Sequence, residues 1–242
     1  MPADAHAAAP ARPGDGEAGA APAALLWDFD GTLVDSEPSW HAAESRLVAE
    51  LGGPSISPEA ARELVGLALT DSARALLRIA GREDLDAAQY AGVLNDYALE
   101  DMIHAGVALR PGAAALLAEA RDAGVPCALV SMSFTSVLRQ VVDTLPAGSF
   151  AVIVGGDQVT HGKPDPEPYL RAAAELGVAP LDCLVIEDSF PGTLSSQNAG
   201  MPTLGVPFEQ AIQPGPRRAL VPTLEGLTWA AAAALWRELR DA

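Results

Sequence analysis

The chain has 242 residues, 49% of them apolar, and a formal charge of -17 at pH 7. That length suits one large domain, or one domain carrying an insertion, with a sizeable core. So negative a chain, with no basic stripe, argues against a nucleic-acid partner; an anionic small substrate stays open if cations inside the site offset its charge.

In chain order, residues 1–22 are rich in Ala, Pro and Gly and lack an apolar run of seven or more, so they read as a disordered tail and not as a signal peptide. No later run approaches the roughly 18 apolar residues that span a bilayer, which leads us to expect a soluble protein without a membrane partner. Only Cys127 and Cys183 occur, 56 positions apart in apolar strand-like runs. They read as buried, reduced thiols in a cytoplasmic protein.

From Ala24 onward four apolar runs stop at polar residues: "ALLWDFD", "VPCALVSMS", "FAVIVGGD" and "DCLVIEDS". Helical stretches lie between them, "PGAAALLAEARDAG", "SFTSVLRQVVDTL" and "PEPYLRAAAELG", punctuated by Pro and Gly as helix ends are. Alternating strands and helices imply an α/β fold, a Rossmann-like parallel sheet with helices on both faces. In such a sheet the ligand lies beyond the carboxyl ends of the strands.

Residues 36–108 interrupt this rhythm with helical patterns alone, among them "WHAAESRLVAEL" and "TDSARALLRIAG". We read them as an inserted helical cap domain hinged near "VDSEP" and "GVALRPG", with the core domain formed by residues 23–35 and 109–242. Leu204 to Val206 and "RALVPTL" are candidate edge strands. Trp229 and Trp236, seven apart, share one face of a C-terminal helix and are expected to pack against the sheet.

The first strand ends in Asp28 and Asp30. A calcium loop fails, because it needs glycine at its sixth position and the glycine after Asp28 is its fourth. A simple turn accounts for "DG" but not for two acids at strand spacing. "HGKP" is not a phosphate-binding loop either: Gly156 is one position too far from Gly162, and Pro164 replaces the required Ser or Thr. The other strand ends add the Ser131 hydroxyl, the Lys163 ammonium and the carboxylates Glu187 and Asp188. Together these suit a magnesium and phosphate site, since hard cations take carboxylate oxygens along with substrate phosphate. Asp35, Asp157, Asp165 and Glu167 read as caps or turn residues, and the four histidines share no metal-ligand spacing.

With "DFDGTLVDSE", "LVSMS", "GKPDPEPY" and "VIEDSFPG" followed by "NAGM" in this order, the chain resembles the haloacid dehalogenase-like hydrolase superfamily, in its helical-cap phosphatase and β-phosphoglucomutase branch. The resemblance implies that Asp28 is the nucleophile and Asp30 the general acid and base. It implies Mg2+ held by Asp28, the Asp30 carbonyl and Asp188, with Glu187 as a nearby or alternative ligand, and phosphate bound by Ser131 and Lys163. Asp30 disfavours dehalogenation. Trp40 stands where related mutases place a histidine, with His41 one step late, and Leu69 replaces an arginine of theirs; both cap residues, Trp40 and His41, are candidate substrate contacts. "DSEPSWHAAE" resembles the start of sugar-phosphate phosphatases, including those acting on 2-deoxyglucose 6-phosphate. The expectation is a phosphatase of small phosphorylated metabolites, a monomer or weak oligomer, with a phosphosugar mutase or a catalytically quiet binding protein as alternatives.

Overall fold

The computed structural model describes residues 21–64, 67–106, 108–208 and 211–242, so nearly all of the N-terminal stretch read as a tail lies outside the described residues. The first apolar run forms β1 (Ala24–Trp27), in which every residue is buried. Leu25 and Trp27 face one apolar cluster, while Ala24 and Leu26 face another on the opposite side of the sheet. Burial of both faces is why the run is continuous and not alternating.

The chain leaves the sheet through β2 (Val34–Asp35) and returns through β3 (Ala108–Leu109), which pair antiparallel as a two-residue ribbon. Its strands lie within "VDSEP" and "GVALRPG", and strands so short leave no alternation in a sequence. Between them run α1 (Glu37–Glu50), α2 (Pro58–Leu64), α3 (Leu69–Ile79) and α4 (Ala87–Ala105). The first begins three residues before the expected Trp40, because Pro38 is accommodated in its opening turn. Buried Leu69, Ala73, Leu76 and Leu77 give α3 one apolar stripe, and its packing with α1 and α4 makes a helical cap whose core runs into that of the sheet.

After β3 come α5 (Ala113–Asp122), β4 (Cys127–Val130), α6 (Thr135–Val142), β5 (Val152–Val154), α7 (Glu167–Leu176), β6 (Cys183–Glu187), α8 (Phe190–Asn198), β7 (Thr203–Gly205), β8 (Arg218–Leu220) and α9 (Trp229–Arg240). Six strands form one parallel sheet in the order β5-β4-β1-β6-β7-β8. Apolar residues of α5, α6 and α9 cover one face, and those of α7 cover the other. Of the two expected edge strands, β8 is an edge, whereas β7 is flanked by β6 and β8. Trp236 is buried and donates its indole N–H to the Cys183 carbonyl at 3.1 Å; Trp229 is half-buried. Both cysteines are buried and unpaired.

The "TLSSQ" segment of α8 carries hydroxyls toward the core, and each is satisfied. Thr193 Oγ1 donates to the Ser189 carbonyl, Ser195 Oγ to the Asp165 carbonyl at 2.6 Å, and Ser196 Oγ shares a hydrogen bond with Thr203 Oγ1 at 2.7 Å. Buried polar groups are tolerated on those terms. Among the described residues no helix is long and apolar enough to cross a membrane.

Candidate active site

Trp27 is in register with Leu129 on one side and Ile186 on the other. The residues following β1, β4 and β6 therefore emerge at one edge of the sheet, where the strand order reverses about β1. Asp28 is 6% exposed there. Lys163 Nζ lies 2.6 Å from Asp28 Oδ1 and 2.6 Å from Glu187 Oε1, and donates to the Val130 carbonyl at 3.1 Å.

Glu187 is fully buried and its oxygens are engaged. Oε1 also accepts from the Tyr169 hydroxyl at 2.8 Å, and Oε2 accepts from the Ser189 amide at 3.2 Å and hydroxyl at 3.0 Å. A Cβ on Gly192, in the first turn of α8, would sit 1.7 Å from Oε1, so only glycine leaves room for this carboxylate. Asp188 accepts from the Thr32 hydroxyl at 2.8 Å. Gly31 has φ +82°, and a Cβ there would meet Asp188 Oδ2 at 2.3 Å; the glycine of "DGT" supplies both the turn and the close approach.

Asp30 is aimed by four donors. Its Oδ1 accepts from the Ser36 hydroxyl and the Trp40 indole N–H, each at 2.7 Å, while Oδ2 accepts from Ser131 Oγ at 2.8 Å and Ser133 Oγ at 2.7 Å. Ser131 Oγ in turn accepts the Ser133 amide at 2.9 Å. The two serines thus act on the same oxygen.

Carboxylate oxygens of Asp28, Glu187 and Asp188 lie within 4.8 Å of one another. Burial and then Glu187 push Asp28 well above the usual carboxylate range, with Lys163 opposing; burial and then Glu187 push Asp188 up to about 7. Burial works against the Lys163 ammonium, but Asp28 and Glu187 outweigh it and hold its pKa above the ordinary lysine value. Three buried acids facing one ammonium leave excess negative charge, and carboxylate oxygens are the donors that hard divalent cations take. The residues present fit Mg2+.

Lys163 reaches the acids from a stitched turn. Glu167 accepts from the amides of Thr160 and His161, both at 2.8 Å, and Asp165 Oδ1 accepts from the Glu167 amide at 2.9 Å. Asp157 accepts from the Thr135 amide and hydroxyl. These three acids are caps or turn residues as expected, whereas Asp35, expected with them, lies in β2. His161, Asp165 and Glu167 also bring ligand atoms within 4.8 Å of one another, but His161 is exposed and Asp165 and Glu167 are occupied by the turn.

A cleft opens between the strand ends and the cap, lined from below by Asp28, Asp30, Lys163 and Asp188 and from above by Trp40, His41, Glu44 and Leu69, among others. His41 Nε2 stands 3.8 Å from Glu37 Oε2. Burial pushes Glu44 up to about 7. Arg74 and Arg78 are exposed and do not line the cleft. Sequence reasoning did not single out Thr32, Ser36, Tyr169 or Glu44. Thr32 and Ser36 stand inside the first motif and Tyr169 ends the third, and those positions were the available signal; the exposure of Glu44 to the cleft depends on contacts between separate elements.

The haloacid dehalogenase-like hydrolase family model matches residues 25–206. Hexitol phosphatase A of Escherichia coli K12 is 36% identical over 187 residues, covering 75% of this chain and 82% of that protein. A phosphoglycolate phosphatase of Pseudomonas putida KT2440 is 31% identical over 197 residues, 78% of this chain and 71% of that protein. The crystal structure of CbbY from Rhodobacter sphaeroides in complex with phosphate superposes with a TM-score of 0.78 at 28% identity, covering 85% of this chain and 96% of that one. The chain therefore belongs to the haloacid dehalogenase-like hydrolase family.

Proposed function

We propose that this enzyme is a Mg2+-dependent phosphatase of small phosphorylated metabolites, namely sugar or sugar-alcohol phosphates, and that it works through an aspartyl-phosphate at Asp28. Hydrolysis of phosphate monoesters follows from the family and from relatives named as phosphatases. The observation that carries the mechanism is the buried contact of Asp28 with Lys163, with Asp30 held by four donors two residues away.

In the first step a carboxylate oxygen of Asp28 attacks phosphorus, the bond from phosphorus to the leaving oxygen breaks, and Asp30 protonates that oxygen. In the second, water attacks phosphorus, Asp30 takes its proton, and the bond to Asp28 breaks to release phosphate. Lys163 faces the phosphoryl oxygens with the cation that the net charge of -17 does not supply. The Ser131 hydroxyl, which donates to Asp30 in this structure, turns to a phosphoryl oxygen when substrate enters and leaves Oδ2 open to the leaving group. Asp28, Asp188 and the Asp30 carbonyl would hold Mg2+, which supplies charge neutralisation between carboxylate and phosphate. Glu187, its oxygens engaged, is the anchor of Lys163 and only an alternative ligand.

Residues 36–108 act as the cap and residues 23–35 and 109–242 as the core, the cleft between them admitting one small substrate. The two buried thiols suit a cytoplasmic compartment. Release of phosphate from p-nitrophenyl phosphate with Mg2+ tests the reading; no turnover by the folded wild-type protein would favour a binding role.

A further inference from the structure

Two polar side chains on the cap side of the cleft lack a partner among the described residues. Glu44 on α1 is 7% exposed and Ser72 on α3 is 5% exposed, and both line the cleft. Among the described residues, neither side chain makes a hydrogen bond or ion pair. Leu64, Leu69 and Leu94 share the cleft lining with them. Burying a polar group without a partner costs free energy, and the rise of the Glu44 carboxyl to about 7 reflects a dry setting.

The far end of the cleft is also short of cations. Among its described lining residues Lys163 is the only lysine or arginine, and it is bound by Asp28 and Glu187. His41, the other basic group, faces Glu37. An anion at the cap end would meet the Glu44 carboxyl with no lysine or arginine beside it among the described lining residues. A hydroxyl fits: it donates to a carboxylate and exchanges a hydrogen bond with a serine in either sense.

We propose that Glu44 and Ser72 determine specificity by binding hydroxyl groups of the leaving alcohol. The enzyme then prefers phosphate esters of polyhydroxy alcohols to esters whose far end carries a carboxylate or a second phosphate. This rests on the phosphatase reading and names its substrate class. The two relatives named above mark the alternatives, a hexitol phosphatase and a phosphoglycolate phosphatase.

The test is kcat/KM of the full chain with Mg2+ for sorbitol 6-phosphate, phosphoglycolate and p-nitrophenyl phosphate, in wild type, Glu44→Ala, Glu44→Gln and Ser72→Ala. Wild type is expected to favour sorbitol 6-phosphate over phosphoglycolate at least about tenfold. Glu44→Ala should lower the ratio of sorbitol 6-phosphate to p-nitrophenyl phosphate by about 10- to 100-fold, the range for a hydrogen bond to a charged group. Glu44→Gln, which keeps the shape and one acceptor oxygen, should retain more of that ratio, and Ser72→Ala should lower it severalfold. A Glu44→Ala ratio within about twofold of wild type, including a parallel loss on both esters, would overturn the inference, as would a wild-type preference for phosphoglycolate. Absence of hydrolysis of all three esters by the wild type would instead overturn the phosphatase reading, and this inference with it.

Discussion

The indole N–H of Trp40 donates to Asp30 Oδ1 at 2.7 Å, joining the first helix of the cap to the acid that follows β1. The cap is thus tied to the orientation of a proposed catalytic group as well as covering it. Trp40→Phe keeps the ring and removes the donor. Since Ser36, Ser131 and Ser133 remain, kcat should fall about tenfold, near the lower end for a hydrogen bond to a charged group, with little change in melting temperature. Steady-state kinetics on p-nitrophenyl phosphate check this; an unchanged kcat would remove Trp40 from the positioning of Asp30.

Chelation with excess EDTA should abolish turnover, and Mg2+ should restore it. Asp188→Ala should raise the Mg2+ concentration needed for half activity or eliminate turnover. Ca2+, larger and tolerant of irregular coordination, should bind yet support little turnover. Full activity in EDTA would contradict a metal-dependent mechanism.

Without metal, stability should fall as pH rises. Unfolded Asp and Glu side chains titrate near about 4, whereas burial raises Asp188 and Glu44 to about 7 and Asp28 well above its ordinary value. Between about pH 4 and pH 7 the folded chain holds protons that the unfolded chain has released, so these groups' contribution is full below about pH 4 and lost as pH passes about 7. Melting curves of the EDTA-treated protein across that window should show the fall, Asp188→Asn should flatten it, and Mg2+ should stabilise more at higher pH because it competes with protons. An identical slope in Asp188→Asn would count against the raised carboxyl.

Phosphatase and mutase differ in what the cap does with the second end of the substrate. Leu69 lines the cleft where related mutases place an arginine, and Arg74 and Arg78 are exposed. Without a guanidinium fork to hold a distal phosphate, water should reach phosphorylated Asp28 once the first product leaves. Glucose 6-phosphate-type esters should therefore release phosphate, and β-glucose 1-phosphate should not become its 6-phosphate isomer even with a bisphosphate primer. Isomerisation much faster than phosphate release would reverse the assignment.

The sheet was legible because its strands are buried on both faces and each stops at a polar residue that the register then brings to one edge. Asp28, Ser131, Glu187 and Asp188 could be named for that reason, and Lys163, in a turn beyond β5, from its motif. Some of their partners could not. Thr32 meets Asp188 across 156 positions and Ser133 meets Asp30 across 103, distances that no local pattern encodes. The ribbon of Val34–Asp35 with Ala108–Leu109 is too short to alternate. Glu44 ends the quoted "DSEPSWHAAE", but only the packing of α1 against α3 and α4 turns it into the cleft.

Whether Asp28 is the nucleophile is read from the rate of phosphate release by Asp28→Asn. The substitution keeps the shape and removes the attacking charge, and Lys163 retains Glu187 as a partner, so the fold should persist by circular dichroism and melting. Turnover of p-nitrophenyl phosphate and of sorbitol 6-phosphate with Mg2+ should drop to the uncatalysed background. A folded Asp28→Asn that releases phosphate at a rate near that of the wild type would contradict the account.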